Sequence, residues 1–204
     1  MLFDDTYKTL GQQGEGIFRD KGSKFLGFAF PVRTEEDVKI HLASIRSLHP
    51  KARHYCWAVR FTTDRSIFKL NDDGEPSGSA ARPILNTLLS FDVTNVLIIV
   101  VRYFGGTLLG IPGLIHAYKN AAIEALNNAV IINKSLIDVY RFEFGYIDVN
   151  SVMRIIKDFE INILNQEFDN DCAMELEIRK GNLDNVLGKM GKINNLKMTY
   201  LYSY

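Results

Sequence analysis

The ten residues from Asn95 to Phe104 limit the fold more than any other stretch of the chain. Their apolar side chains run on without alternating, so a strand formed there needs cover on both faces and belongs in the middle of a sheet. Arg102 interrupts the run, which is far shorter than the roughly 20 residues that cross a bilayer. No transmembrane span is expected. The amino terminus, Met1 to Gly11, mixes Asp4, Asp5 and Lys8 with single apolar residues, so no signal core is expected either.

The segments before this strand predict the elements that flank it. Gly16 to Phe18 and Phe25 to Val32 are apolar runs joined by the polar turn Arg19 to Lys24, which reads as a hairpin. Thr34 offers a helix cap, with Glu35, Glu36 and Asp37 suited to the positive end of the dipole, and Val38, Leu42, Ile45 and Leu48 recur at helical spacing. His49-Pro50 ends that helix. Tyr55, Trp57, Val59 and Phe61 then alternate with His54, Cys56, Ala58 and Arg60 as a strand, and a shorter strand is expected from Ser66 to Leu70. Pro83 to Phe91 reads as a helix. After the central strand, a glycine-rich connection from Gly105 to Gly113 leads into a helix from Leu114 to Ala129, with Ile115, Tyr118, Ala122 and Leu126 as its apolar stripe.

From Leu136 a second pattern begins. A strand through Tyr146, a helix from Val149 to Phe159, strands Ile161 to Phe168 and Cys172 to Arg179, a helix Leu183 to Ile193 and a strand Leu196 to Tyr202 give the order βαββαβ. That is the ferredoxin-like arrangement, so the chain is expected to be α+β, with domains at 1–133 and 134–204. Residues 1–133 carry 15 basic and 13 acidic side chains and residues 134–204 carry 9 and 11. The overall balance of 24 against 24 removes the strong positive field of a dedicated nucleic-acid-binding domain but leaves room for a local basic patch. Two cysteines, Cys56 and Cys172, are too few for a metal quartet or a disulfide framework, and a reducing, cytoplasmic setting is the expectation.

Three segments of the first domain carry chemistry. In Val100 to Gly113, glycines Gly105, Gly106, Gly110 and Gly113 leave backbone amides open beside a helix start, an arrangement that suits a phosphate or carboxylate, and Arg102 can add a bidentate contact. The same glycines also suit plain tight turns. The segment is neither a Walker A loop, lacking Gly-Lys-Ser/Thr, nor a dinucleotide fingerprint. In Asn71 to Ser79, Asp72, Asp73 and Glu75 can hold magnesium or act as a base, or they can simply build a turn whose Ser79 caps the next helix and whose carboxylates pair with Arg82. The spacing departs from an EF-hand. In His49 to Cys56, Lys51, Arg53 and His54 place positive charge beside an aromatic residue, fit for nucleic-acid phosphate. His54 and Cys56 share a strand face, which allows a thiol–imidazole pair, although a lone cysteine more commonly packs. In the second domain Tyr140, Phe142, Phe144 and Tyr146 share a face that is either a base-stacking platform or a helix-covered core; Asp138 and Glu143 nearby favour the core.

Together, His49-Pro50-Lys51-Ala52-Arg53-His54-Tyr55-Cys56, the loop Asp72 to Ala80 and Val101-Arg102-Tyr103-Phe104-Gly105-Gly106 resemble the signatures of the IMPACT/YigZ family. The resemblance covers Gly14 to Asn128 and extends, through length and element order, to the smaller carboxy-terminal domain of bacterial YigZ-type members. It implies a first domain of the ribosomal protein S-five domain two kind and a second similar to the last domain of elongation factor G. Both analogies point to translation. Eukaryotic relatives regulate translation by competing for the co-activator of an eIF-two-alpha kinase, and they use an extra amino-terminal domain for which this chain has no room, so that role is not expected here.

The expected function is therefore a non-enzymatic, translation-linked regulatory or binding protein, needing no cofactor, with RNA, the ribosome, a translation factor or a nucleotide as partner. Its anion-binding residues would be Arg53, His54, Arg82, Arg102, Gly105, Gly106, Gly110 and Gly113. The rival is a magnesium-dependent nucleotide-binding enzyme or phosphohydrolase in which the glycine loop holds phosphate, Asp72, Asp73 or Glu75 holds the metal and His54 moves protons. No residue is assigned a catalytic role on sequence alone.

Overall fold

In chain order the computed structural model, which describes residues 5–61, 67–169 and 171–204, contains β1 (Thr6–Gln12), β2 (Gly14–Asp20), β3 (Ser23–Pro31), α1 (Glu35–Leu48), β4 (His54–Phe61), β5 (Ile67–Asn71), α2 (Ala81–Ser90), β6 (Val96–Tyr103) and α3 (Gly110–Asn127). There follow β7 (Val130–Ser135), β8 (Ile137–Phe144), α4 (Val149–Asp158), β9 (Asn162–Phe168), β10 (Cys172–Arg179), α5 (Leu183–Met190) and β11 (Lys197–Ser203). Ser66, expected to open the fifth strand, lies outside the described residues. The fold is α+β and divides into an amino-terminal unit, Lys8–Lys134, and a carboxy-terminal unit, Ser135–Tyr204 with the first residues through Tyr7. Asp5 joins the second unit because its carbonyl accepts from the Leu136 N–H and its carboxylate accepts from the Gly181 N–H.

The amino-terminal unit is built on a five-stranded antiparallel sheet in the order β2-β3-β6-β4-β5. β6 lies in its centre, as its unbroken apolar sequence requires. Val96, Ile98 and Val100 join Phe25, Ala29, Cys56 and Ala58 beneath α2 and α3, while Leu97, Ile99 and Val101 join Leu26, Phe28, Tyr55 and Val59 beneath α1. All six of these β6 side chains are fully buried, and each stabilises the fold by roughly 1.5–3 kcal/mol. The hairpin pairs Asp20 with Ser23, leaving Lys21 (φ +43°) and Gly22 (φ +79°) as a two-residue turn. Two successive left-handed residues match the right-handed twist of the strands they join.

Helix α1 begins at the expected cap. The Asp37 N–H donates to Thr34 Oγ1 at 3.2 Å and the Thr34 N–H donates to Asp37 Oδ2 at 2.9 Å, the reciprocal arrangement of a capping box. Hydrogen bonds from the Arg33 and Thr34 N–H groups hold the Asp37 carboxyl below its ordinary range. Several expectations need correction. Leu48 is 68% exposed and takes no part in the buried stripe. Helix α3 starts at Gly110, four residues early, and its buried face is Leu114, Ala117, Tyr118, Ala121, Ala122, Ala125 and Leu126, with Ile115 turned outward. Strands β1 and β7, which pair as a separate two-stranded sheet, were not anticipated.

The carboxy-terminal unit has the expected βαββαβ order, with an antiparallel sheet arranged β11-β8-β10-β9. Phe142 and Phe144 pack with Met174, Leu176, Val152, Ile155 and Val186 in one core, against which Tyr140 also packs. Those aromatics are core, and Tyr146 is not among them: it sits in a short 3₁₀ turn and is exposed. Among the described residues no helix is long and apolar enough to cross a membrane.

Candidate functional site

Antiparallel pairing gathers the three chemistry-bearing segments at one end of the five-stranded sheet. β5 and β6 both run opposite to β4 between them, so both finish where β4 begins. β3 runs opposite to β6 and begins at the same end, with Lys24 across from Tyr103 and His54 across from Arg102. The loop after β5, the loop after β6, the head of β4 and the Lys21–Gly22 turn therefore share one end. Gly105 ties two of them together: its N–H donates to Ser23 Oγ at 3.1 Å, and a Cβ added there would lie 1.9 Å from the carbonyl carbon of Gly22.

Beneath these loops lies a buried polar cluster around Arg102, whose Nε has no hydrogen-bond partner there. Arg102 Nη1 donates to Glu75 Oε1 at 2.6 Å, with the two side chains 8% and 4% exposed. The Tyr118 hydroxyl donates to the same oxygen at 2.8 Å, and the Cys56 thiol lies 3.0 Å from the Asp72 carbonyl and 3.3 Å from the Tyr118 hydroxyl. The Arg102 guanidinium carbon is 5.5 Å from the Phe25 ring centroid and 5.6 Å from that of Phe104, distances at which the ring quadrupole favours a cation. Burial pushes both the Cys56 thiol and the Tyr118 phenol well up, so Cys56 is kept as an inert thiol. The thiol–imidazole pair is not formed. His54 Nδ1 instead lies 2.9 Å from the Asp73 carbonyl, and because a carbonyl only accepts, that nitrogen carries the proton.

The other two carboxylates are equally committed. Asp72 Oδ1 accepts from the N–H groups of Ala80 and Ala81 at 3.1 and 2.7 Å, and its Oδ2 accepts from Gly78 at 2.9 Å. Asp72, eight residues upstream, thus caps α2 in place of Ser79, whose hydroxyl donates to the Pro76 carbonyl. Asp73 Oδ1 accepts from Arg46 at 2.9 Å and its Oδ2 from the Tyr55 N–H at 2.7 Å, while the Arg46 guanidinium stacks 4.4 Å above the Tyr55 ring. Among the described residues no three His, Cys, Asp or Glu side chains converge as metal ligands.

What remains at this end is cationic and open. Lys21, Lys51, Arg53 and Arg82 are exposed, and no hydrogen bond or ion pair engages them among the described residues; Arg82 does not meet a loop carboxylate. Gly106 (φ +87°) turns the chain after Gly105. Gly110 and Gly113 lie inside the first turn of α3 rather than in the connection, Leu109 provides no side-chain cap there, and Pro112 occupies the third helical position, where its missing N–H is tolerated. Neither Leu109 nor the first turn of this 18-residue helix supplies a cap or an acidic side chain to its positive end.

Arg46, Ser23 and the polar role of Tyr118 lie outside the expected site, and His49 and Tyr103, both within its motifs, pair in a way the motifs did not indicate. His49 Nδ1 lies 3.0 Å from the Tyr103 hydroxyl, and the Tyr55 hydroxyl donates to the His49 carbonyl at 2.6 Å. A tyrosine on the inward stripe of a helix was the available signal, since a buried phenol needs a partner. The sheet face of the carboxy-terminal unit opposite its helices differs in charge. There Arg141 is shared among Glu143, Glu167 and Glu175 at 3.4, 2.9 and 3.5 Å, and Glu177 accepts from Asn162 and Tyr204. Such a face repels phosphate.

The model of the Impact N-terminal domain matches residues 21–126, just over half of the chain and the whole of the site described above. The chain belongs to the IMPACT family. An IMPACT family member of Haemophilus influenzae is 30% identical over 169 residues, 80% of this chain and 81% of that protein. The Escherichia coli IMPACT family member YigZ is 31% identical over 150 residues, 72% and 74% of the two chains. A crystal structure of a hypothetical protein superposes with a TM-score of 0.70 at 24% identity, covering 97% of this chain and 98% of the other, and so shares the two-unit fold. In this IMPACT family member, the matched residues include those that build the Glu75–Arg102–Tyr118 interior and the loops above it.

Proposed function

We propose that this chain is a non-enzymatic binding protein that meets RNA of the translation machinery through the end of the five-stranded sheet where Lys21, Lys51, Arg53 and Arg82 emerge. One observation carries the proposal: Asp72, Asp73 and Glu75 are turned inward and engaged by N–H groups, Arg46, Arg102 and Tyr118, while the four cations stand exposed. Asp72 and Asp73 are engaged at both oxygens and Glu75 is neutralised by Arg102 at 2.6 Å, which makes them poor metal ligands or general bases. Cations without partners among the described residues, beside a helix start that Leu109 does not cap, favour phosphate. Family membership supplies the link to translation, as the resemblance implies. His54 and the glycines Gly105 and Gly106 would then shape the surface, and Arg102 would support it from below.

Thermal unfolding with RNA, and separately with nucleotides plus magnesium, tests the proposal. A ligand at 100 times its Kd adds about 2.7 kcal/mol to stability, so RNA should raise Tm, and less so as salt increases. Magnesium-dependent nucleotide hydrolysis that Asp73→Ala abolishes in a folded protein would overturn the proposal.

A further inference from the structure

The loop after β6 has a property that phosphate binding does not use. Phe104, Leu108 and Ile111 are 55%, 83% and 55% exposed, a concentration of apolar surface within eight residues that commonly marks a contact site. Phe104 is held from both sides in sequence. Gly105 is pinned to Ser23 and packed against Gly22, and Arg102, itself fixed by Glu75 at 2.6 Å, sets its guanidinium over the ring.

We infer that Phe104 stacks on an unpaired base of single-stranded RNA whose phosphates lie on the surrounding cations. The inference rests on the cationic surface proposed above and names the form of nucleic acid it takes. A single strand offers what this end of the sheet complements: phosphates for Lys21, Lys51, Arg53 and Arg82, which are exposed, and free base faces for an aromatic ring. A duplex buries its base faces in its own stack and offers Phe104 nothing. The backbone that carries the ring is pinned at Gly105, so stacking there loses little loop freedom. Leu108 and Ile111 extend the apolar surface beside it. The sheet face of the carboxy-terminal unit carries Glu143, Glu167 and Glu175 around Arg141, a charge balance that disfavours phosphate.

Fluorescence anisotropy on the full chain would use three probes: a labelled single-stranded RNA of about 12 nucleotides, the same RNA as a duplex, and an abasic strand of equal length. Base stacking is worth 1–3 kcal/mol, about 5- to 150-fold in affinity. Phe104→Ala and Phe104→Leu should weaken single-strand binding by that factor and leave duplex and abasic binding unchanged. Phe104→Trp should retain the wild-type affinity. Because Phe104 is exposed, the variants should keep the wild-type Tm. Wild-type affinity in Phe104→Leu, or equal losses on all three probes, would overturn the inference while leaving the cationic surface intact. Binding of all three probes that survives Arg53→Glu with Arg82→Glu would overturn the surface itself, and the inference with it.

Discussion

Arg102 and Arg141 each sit on a strand beside glutamates, in opposite surroundings. Arg102 meets Glu75 with both side chains nearly sealed from solvent, and Tyr118 completes the cluster. Arg141, 30% exposed, divides itself among Glu143, Glu167 and Glu175, which are 46%, 53% and 27% exposed. In water the second arrangement gains little, since solvent and salt screen it. The buried one binds elements together: Glu75 belongs to the loop after β5, Arg102 to β6 and Tyr118 to α3, so one oxygen fixes three segments. The same residue types therefore specify geometry in one unit and charge in the other.

The sharpest way to break this comparison is to remove one buried partner. Glu75→Gln leaves the Arg102 guanidinium without its counter-charge and should cost about 3–5 kcal/mol in urea unfolding. Replacing both, as Glu75→Leu with Arg102→Met, should cost much less than the single change, because no uncompensated charge remains. A single-variant cost under about 1 kcal/mol would place the buried pair on a par with exposed ones. Next comes Gly105→Ala. The added methyl group would overlap the Gly22 backbone, and the forced separation should cost about 1–3 kcal/mol, with reduced RNA binding as the loop shifts.

Smaller effects sharpen the picture. Asp72→Ala removes the acceptor for Ala80, Ala81 and Gly78 and should cost about 0.5–2 kcal/mol, read as a lower urea midpoint with an unchanged slope. The smallest change belongs to Arg141→Ala, which should move Tm far less than Glu75→Gln and whose effect should fade in high salt. Arg141 lowers the Glu167 carboxyl below its ordinary value. A depressed folded-state value stabilises above the unfolded carboxylate range and is lost as pH falls through the folded value, so Arg141→Ala should also flatten the acid side of the stability profile slightly.

How much of this was legible beforehand follows from where the information lies. β6 announced itself because burial on both faces writes an unbroken apolar run, and the βαββαβ order was visible because each element of that unit carries its own period. β7, Val-Ile-Ile-Asn-Lys-Ser, is exposed or half-buried throughout and acquires its identity only from β1, more than a hundred residues away, so no local pattern marks it. The site was legible as three motifs but not as a network. Nothing near Arg102 in sequence says that Glu75, 27 residues earlier, neutralises it, or that Asp72 caps a helix eight residues on. Residues chosen as free charges became interior supports, and Lys21, absent from the expected anion site, joined Lys51 on the open surface.

The central claim is that exposed cations at one end of the five-stranded sheet, and not its carboxylates, meet nucleic acid. The direct test is the salt dependence of single-stranded RNA affinity for the wild type and for Arg53→Ala and Arg82→Ala. The account predicts a linear fall of log affinity with log salt, with the slope reduced by about 0.7 for each phosphate contact removed. A slope that neither substitution changes would contradict it.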